Sequence, residues 1–99
     1  MQKSKITWSK TSVKQFAKAK KYIHHQSVQN AEKVRLGIIE KISSLPANPE
    51  FYLPDKYKKI NDGSYRALEI HHYRISYRIL SDEIKIVRFR HVKRQVAIY

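Results

Sequence analysis

The residues best suited to chemistry gather near the end of this 99-residue chain. Arg88, Arg90, His91, Lys93 and Arg94 close an apolar run that starts at Ile84, and upstream Arg74 and Arg78 alternate with Tyr73, Ile75, Tyr77 and Ile79. Planar guanidinium forks match phosphate oxygens better than a lysine does. An imidazole, with an unperturbed pKa of roughly 6.5, can give or take a proton near neutrality. Glu69 lies just before Arg74 and is an alternative base. Such a set could grip a phosphodiester and move protons at it. Lys56, Lys58 and Lys59 around Tyr57 add a cationic patch with an aromatic ring on which a base could stack.

These side chains need a sheet to hold them. Tyr65 to Arg94 contains three runs dense in β-branched and aromatic residues, broken at His71-His72 and at Ser81-Asp82-Glu83, the pattern of an antiparallel meander. A period of two sends Tyr73, Ile75, Tyr77 and Ile79 to one face and Arg74, Ser76 and Arg78 to the other. Lys5 to Trp8 is a further short strand. Ser12-Val-Lys-Gln15 fits a capping box that would open a first helix with Val13, Phe16, Ala17 and Ile23 as its apolar stripe. Ser27 would cap a second helix running to Leu45, with Val28, Ala31, Val34, Ile38, Ile42 and Leu45 at helical steps and Pro46 as its stop. Pro46 to Gly63, with three prolines and an Asp62-Gly63 turn, reads as a long surface connection. The expected fold is therefore a single α+β domain over residues 1–99. An N-terminal strand, an antiparallel helical hairpin and a three-stranded meander (β-α-α-β-β-β) follow one another, with the hairpin packed on one face of a small twisted sheet. The arginine face is left for solvent or a ligand.

Charge narrows the partners. Against 8 acidic residues stand 21 Lys and Arg, a formal net charge of +13, and no acid occurs in residues 1–31 or 84–99. Polyanions and acidic protein segments are the natural counterparts of such a surface. The sequence holds no long apolar span and no recognisable leader, so a cytoplasmic protein without membrane contact is expected. With no cysteine there is neither a disulfide framework nor a thiolate nucleophile. The pairs His24-His25 and His71-His72 lack the carboxylates or thiols that would complete a metal shell, so no metal and no other cofactor is expected.

Several of these features together carry a resemblance. A first strand ending in Trp8, a helical hairpin, a Leu-Pro-x-x-Pro exit at Leu45 to Pro49, the run Tyr73-Arg74-Ile75-Ser76-Tyr77, and a last strand entering His91-x-x-Arg94 make the chain similar to the RelE/ParE superfamily of bacterial toxins. The resemblance implies the toxin of a type II toxin–antitoxin pair, neutralised by an acidic antitoxin and reaching operator DNA only through it. RelE-like members cut mRNA, usually on the ribosome, whereas ParE-like members poison DNA gyrase. On the RelE-like side, it implies cleavage by attack of the 2′-hydroxyl, without cofactor. Arg74 would stabilise the phosphate with Arg66 or Arg94 as helper, and His91 or Glu69 would move the proton. Tyr99 would match a C-terminal tyrosine that some members use, while Lys56, Tyr57, Lys58, Lys59, Arg78, Arg90 and Lys93 would hold the RNA. This endoribonuclease is the expected function, with the gyrase poison as its alternative and a non-enzymatic corepressor as a third possibility. Each site residue also has a plainer account: Arg74 and Arg78 as charges on a wet strand face, His91 as a structural histidine, Tyr99 as a loose chain end.

Overall fold

In the computed structural model of the chain, residues 4–99 are described, and they follow the expected order of elements. Strand β1 (Lys5–Trp8) leads into helices α1 (Lys10–Gln26) and α2 (Val28–Ser43), a 3-10 turn at Leu45–Ala47, and strands β2 (Tyr65–Ile70), β3 (Tyr73–Ile79) and β4 (Glu83–His91). The sheet order is β1-β4-β3-β2, with β1 parallel to β4 and the other pairs antiparallel.

The first helix starts earlier than the capping-box pattern indicates. Ser9 is the N-cap and its side chain accepts from the Ser12 N–H at 3.1 Å. Ser12 and Gln15 are used across the fold instead: the buried Ser12 hydroxyl donates to the Ile86 carbonyl at 2.9 Å, and Gln15 Oε1 accepts from the Phe89 N–H at 2.7 Å. Both polar side chains thus tie α1 to β4. Ser27 caps α2 as expected, accepting from the Asn30 N–H, but the helix ends at Ser43 and Leu45 belongs to the 3-10 turn.

Alternation along the strands sorts the side chains. Tyr73, Ile75 and Tyr77 of β3 join Leu68 of β2, Ile84, Ile86 and Phe89 of β4, and Val34, Ile38 and Ile42 of α2 in one apolar core. Each fully buried side chain of this size contributes about 1.5–3 kcal/mol of transfer free energy. Tyr77 keeps its hydroxyl satisfied by donating to the Pro49 carbonyl at 2.7 Å, and burial pushes its pKa up to about 12.

The β2–β3 hairpin turns on His71 and His72, at φ 52° and 70°, the left-handed pair that a two-residue hairpin loop of the favoured hand requires. The His71 ring leans onto α2, its Nε2 only 3.0 Å from where a Cβ on Gly37 would stand, so a glycine lets the ring approach.

Candidate functional site

The sheet face turned away from the helices carries Tyr65, Ala67 and Glu69 of β2, Arg74, Ser76 and Arg78 of β3, and Lys85, Arg88 and Arg90 of β4, set side by side by the strand register. This is the arginine face the alternation predicts. It is not left open. The connection after α2 pairs with the outer edge of β2 through a bridge of Pro54 with Arg66, and the Asp55 N–H donates to the Tyr65 carbonyl at 2.8 Å. From the other side, the chain turns after β4 and brings its last residues back across the face. The Tyr99 N–H donates to the Tyr57 carbonyl at 2.9 Å, and the Lys59 N–H donates to Tyr99 O at 2.7 Å. Loop and tail together close over the arginines.

Asp55 sits at the centre of what they enclose and is only 2% exposed. Its Oδ1 accepts from Arg74 Nη2 at 2.9 Å and from the Tyr57 N–H at 3.1 Å, while Oδ2 accepts from the Tyr99 hydroxyl at 2.7 Å. Burial alone would push this carboxyl up, but the Arg74 guanidinium and the Tyr99 hydroxyl outweigh it and hold the pKa below the usual aspartate range. Arg74 is 8% exposed and spends Nη1 on Glu69, its cross-strand neighbour, at 2.8 Å. Burial opposes its charge, yet the two carboxylates raise its pKa further. Tyr57 lies against it with the guanidinium carbon 5.0 Å from the ring centroid. Tyr99 is held in the same way by Arg88, Arg90 and Lys58, at 4.8, 4.9 and 5.1 Å from its ring centroid. Burial pushes its hydroxyl pKa well above the ordinary value.

Arg90 is the discordant member. It is 5% exposed, and its Nη1 donates to the Ala97 carbonyl at 2.6 Å. Its Nε and Nη2, like Arg74 Nε and Ser76 Oγ, find no hydrogen-bond partner among the described residues. Burial lowers its pKa, though a guanidinium stays charged at any working pH.

The expectation that Arg74 and His91 converge is not met. His91 pairs with Tyr73 in the register and so faces the helices, whereas Arg74 pairs with Arg90 on the opposite face. Arg90 and His91 are consecutive in the strand and therefore point to opposite faces, so the run of cations that looks contiguous in sequence is split by the strand itself. His91 packs edge-on against Tyr73 at 5.3 Å and beside His72 at 6.4 Å, and its Nδ1 accepts from the Lys93 N–H at 3.2 Å. Burial, then the charges of Arg94 and Lys93, hold its pKa below the usual histidine value. Arg94 has also gone to the helix side, stacked over Tyr22 at 4.3 Å.

Arg66 pairs with Tyr77 and likewise leaves the arginine face. It straps the connection down instead, donating to the carbonyls of Tyr52, Glu50 and Gly63 at 2.8, 3.2 and 3.2 Å. Of the cations expected to hold RNA, Arg78 lies over Tyr65 at 4.8 Å and bonds Ser64 Oγ, and Lys56 lies over Tyr57 at 5.4 Å. Tyr57 therefore presents its ring to protein cations. Lys59 and Lys93 are exposed. Asp55 had no role assigned from the sequence; its one signal is an acid set immediately before Lys56, Lys58 and Lys59 in a connection otherwise read as surface.

The family described as "ParE toxin of type II toxin-antitoxin system, parDE" matches the chain over residues 6–96. The fold is similar to that of a chain of the chromosomal ParDE TA system from P. aeruginosa, with a TM-score of 0.71 at 15% identity, covering 91% of this chain and 97% of that one. It is also similar to a chain of the YoeB dimer from Staphylococcus aureus, with a TM-score of 0.53 at 22% identity, covering 87% of this chain and 93% of that one. At these identities the two likenesses speak for the fold alone. No curated protein matches the sequence.

Proposed function

Because the chain belongs to the ParE family of type II toxin–antitoxin toxins, we propose that it acts as ParE-like members do, by poisoning DNA gyrase, and that it cleaves no RNA. The observation that carries this is the state of Arg74. Its Nη1 and Nη2 are committed to Glu69 and Asp55 beneath Tyr57, which ties the alternative base Glu69 into the same ion-pair cluster, and the other proton-transfer candidate, His91, is on the far side of the sheet. A general base must come within about 2.6–3.2 Å of the proton it removes, directly or through one water, and the sheet stands between these two groups. The partners are then gyrase in the cytoplasm and a cognate antitoxin, whose acidic segment complements the +13 charge. Sequence-specific recognition of operator DNA would come from that antitoxin.

The mRNA-cleaving reading keeps one observation in its favour. Arg90, buried with two unpartnered donor atoms on the same face as Arg74 and Tyr99, is chemically suited to a phosphate. For that site to act on ribosome-bound mRNA, the tail would have to leave the face.

Purified toxin added to gyrase and relaxed plasmid separates the two. The proposal expects loss of supercoiling with cleaved DNA trapped on the enzyme, and intact mRNA in a cell-free translation system at the same concentration. Unimpaired supercoiling together with cut mRNA would reverse the assignment.

A further inference from the structure

We infer that the outer face of α1 is a docking surface for the phosphate backbone of duplex DNA. At about 100° per residue, Lys10, Lys14, Lys18, Lys21 and His25 fall within an arc of about 80°. All five are exposed, on the side away from the buried Ser12 and Ala19. The stripe runs for about 22 Å at 1.5 Å per residue.

Among the described residues nothing pairs with it. The helix contains no acid, and among the described residues no ion pair involves a lysine of α1. The second helix differs: its Arg35 is paired with Glu32. Like charges one turn apart repel and destabilise an isolated helix slightly. The stripe is therefore carried at a small cost in folding.

Arg94 extends it sideways. A groove of about 390 Å³ between α1 and the turn after β4 is lined by Lys18, Ala19, Tyr22, Tyr73, Arg94 and Gln95, with the Arg94 guanidinium stacked on Tyr22.

The chemistry of the stripe selects the partner. An acidic protein segment would bind through apolar or aromatic anchors ringed by charge. Here the lysine arc itself has no apolar member. A row of ammonium groups needs only a row of phosphates, and duplex DNA supplies one negative charge per about 1.7 Å of axis. The choice of DNA among polyanions rests on the gyrase reading, since gyrase holds a DNA duplex. Binding itself can be measured without the enzyme.

The test uses the full-length toxin, a short DNA duplex and a salt series. The variant K10Q/K14Q/K18Q/K21Q is compared with K5Q/K33Q/K41Q/K85Q, which removes four exposed lysines elsewhere and keeps the same net charge. Each phosphate contact contributes about 0.9 to the slope of log K against log salt. The α1 variant is expected to flatten that slope by about 3.6, so that the wild type loses about 150-fold more affinity than the variant between 50 and 200 mM salt. The control is expected to change the slope by less than one contact, about 0.9. The corresponding Lys→Arg set should restore binding, and circular dichroism checks that each variant is folded.

Equal slopes in the two glutamine variants would overturn the proposal. So would a loss confined to acidic peptide or single-stranded RNA. A DNA result as expected, alongside undisturbed gyrase supercoiling, would leave the surface standing and remove only the gyrase reading.

Discussion

Replacing Asp55 by Ala is the most informative perturbation of the fold. The side chain is fully enclosed, and it is the buried half of a pair whose other half, Arg74, is 8% exposed. Removing one partner of a buried ion pair costs about 3–5 kcal/mol, because the remaining charge is left without compensation. Glu69 stays within 2.8 Å of Arg74, but its side chain is half exposed and solvent screens it. The low end, about 3 kcal/mol, is therefore expected. For a domain of this length each kcal/mol shifts the midpoint by about 4–8 °C, so the melting temperature should fall by at least about 12 °C. In urea, with m of about 1–3 kcal/mol per M, the midpoint should fall by at least about 1 M. A double-mutant cycle with Arg74→Met isolates the pair. D55A/R74M should be more stable than D55A alone, since no charge is left stranded. A loss below about 1 kcal/mol for D55A, or additive losses in the cycle, would refute the view that this pair holds loop, tail and sheet together.

Other consequences follow from the same contacts. Asp55 has a depressed pKa when folded, so its contribution is fully present above the unfolded value of roughly 3.9 and is lost as pH falls through the lower folded value. Acid titration should therefore show the stability gap between wild type and Asp55→Asn closing below that range. Tyr99→Phe removes a donor to the same carboxylate and should cost about 1–3 kcal/mol in urea unfolding, while Tyr99 is the last residue and an idle chain end would cost nothing. His72→Gly should raise the melting temperature, because φ 70° suits glycine and costs an L-residue about 1–2 kcal/mol. Ser9→Ala should lose about 1 kcal/mol through the α1 cap, whereas the capping-box pattern would place that loss at Ser12 alone.

How far the sequence reaches can be seen at particular residues. The strands were legible because Tyr73 to Ile79 alternate cleanly, and α2 because Val34, Ile38 and Ile42 recur at helical steps. Alternation also assigned Arg74, Ser76 and Arg78 to the face away from the helices. The same rule separates Arg90 from His91 once the strand is seen to run through both. What composition could not convey was occupancy of that face. Whether a loop lies over a sheet depends on long-range contacts such as Asp55 with Arg74 and Tyr99, which are 19 and 44 positions away along the chain. Ser12 and Gln15 illustrate the same limit. Their local pattern fits a cap, and tertiary bonds to β4 claimed them instead.

The central claim, that the arginine face is closed by the protein's own tail and that toxicity runs through gyrase, meets its most direct test in cells. Transcript 5′ ends and trapped gyrase–DNA cleavage complexes should be mapped in parallel after brief expression of the toxin without its antitoxin. Cleavage complexes should accumulate while the pattern of transcript ends stays that of the uninduced culture. New transcript ends that vanish with Arg74→Lys, in cells whose gyrase is unaffected, would contradict it.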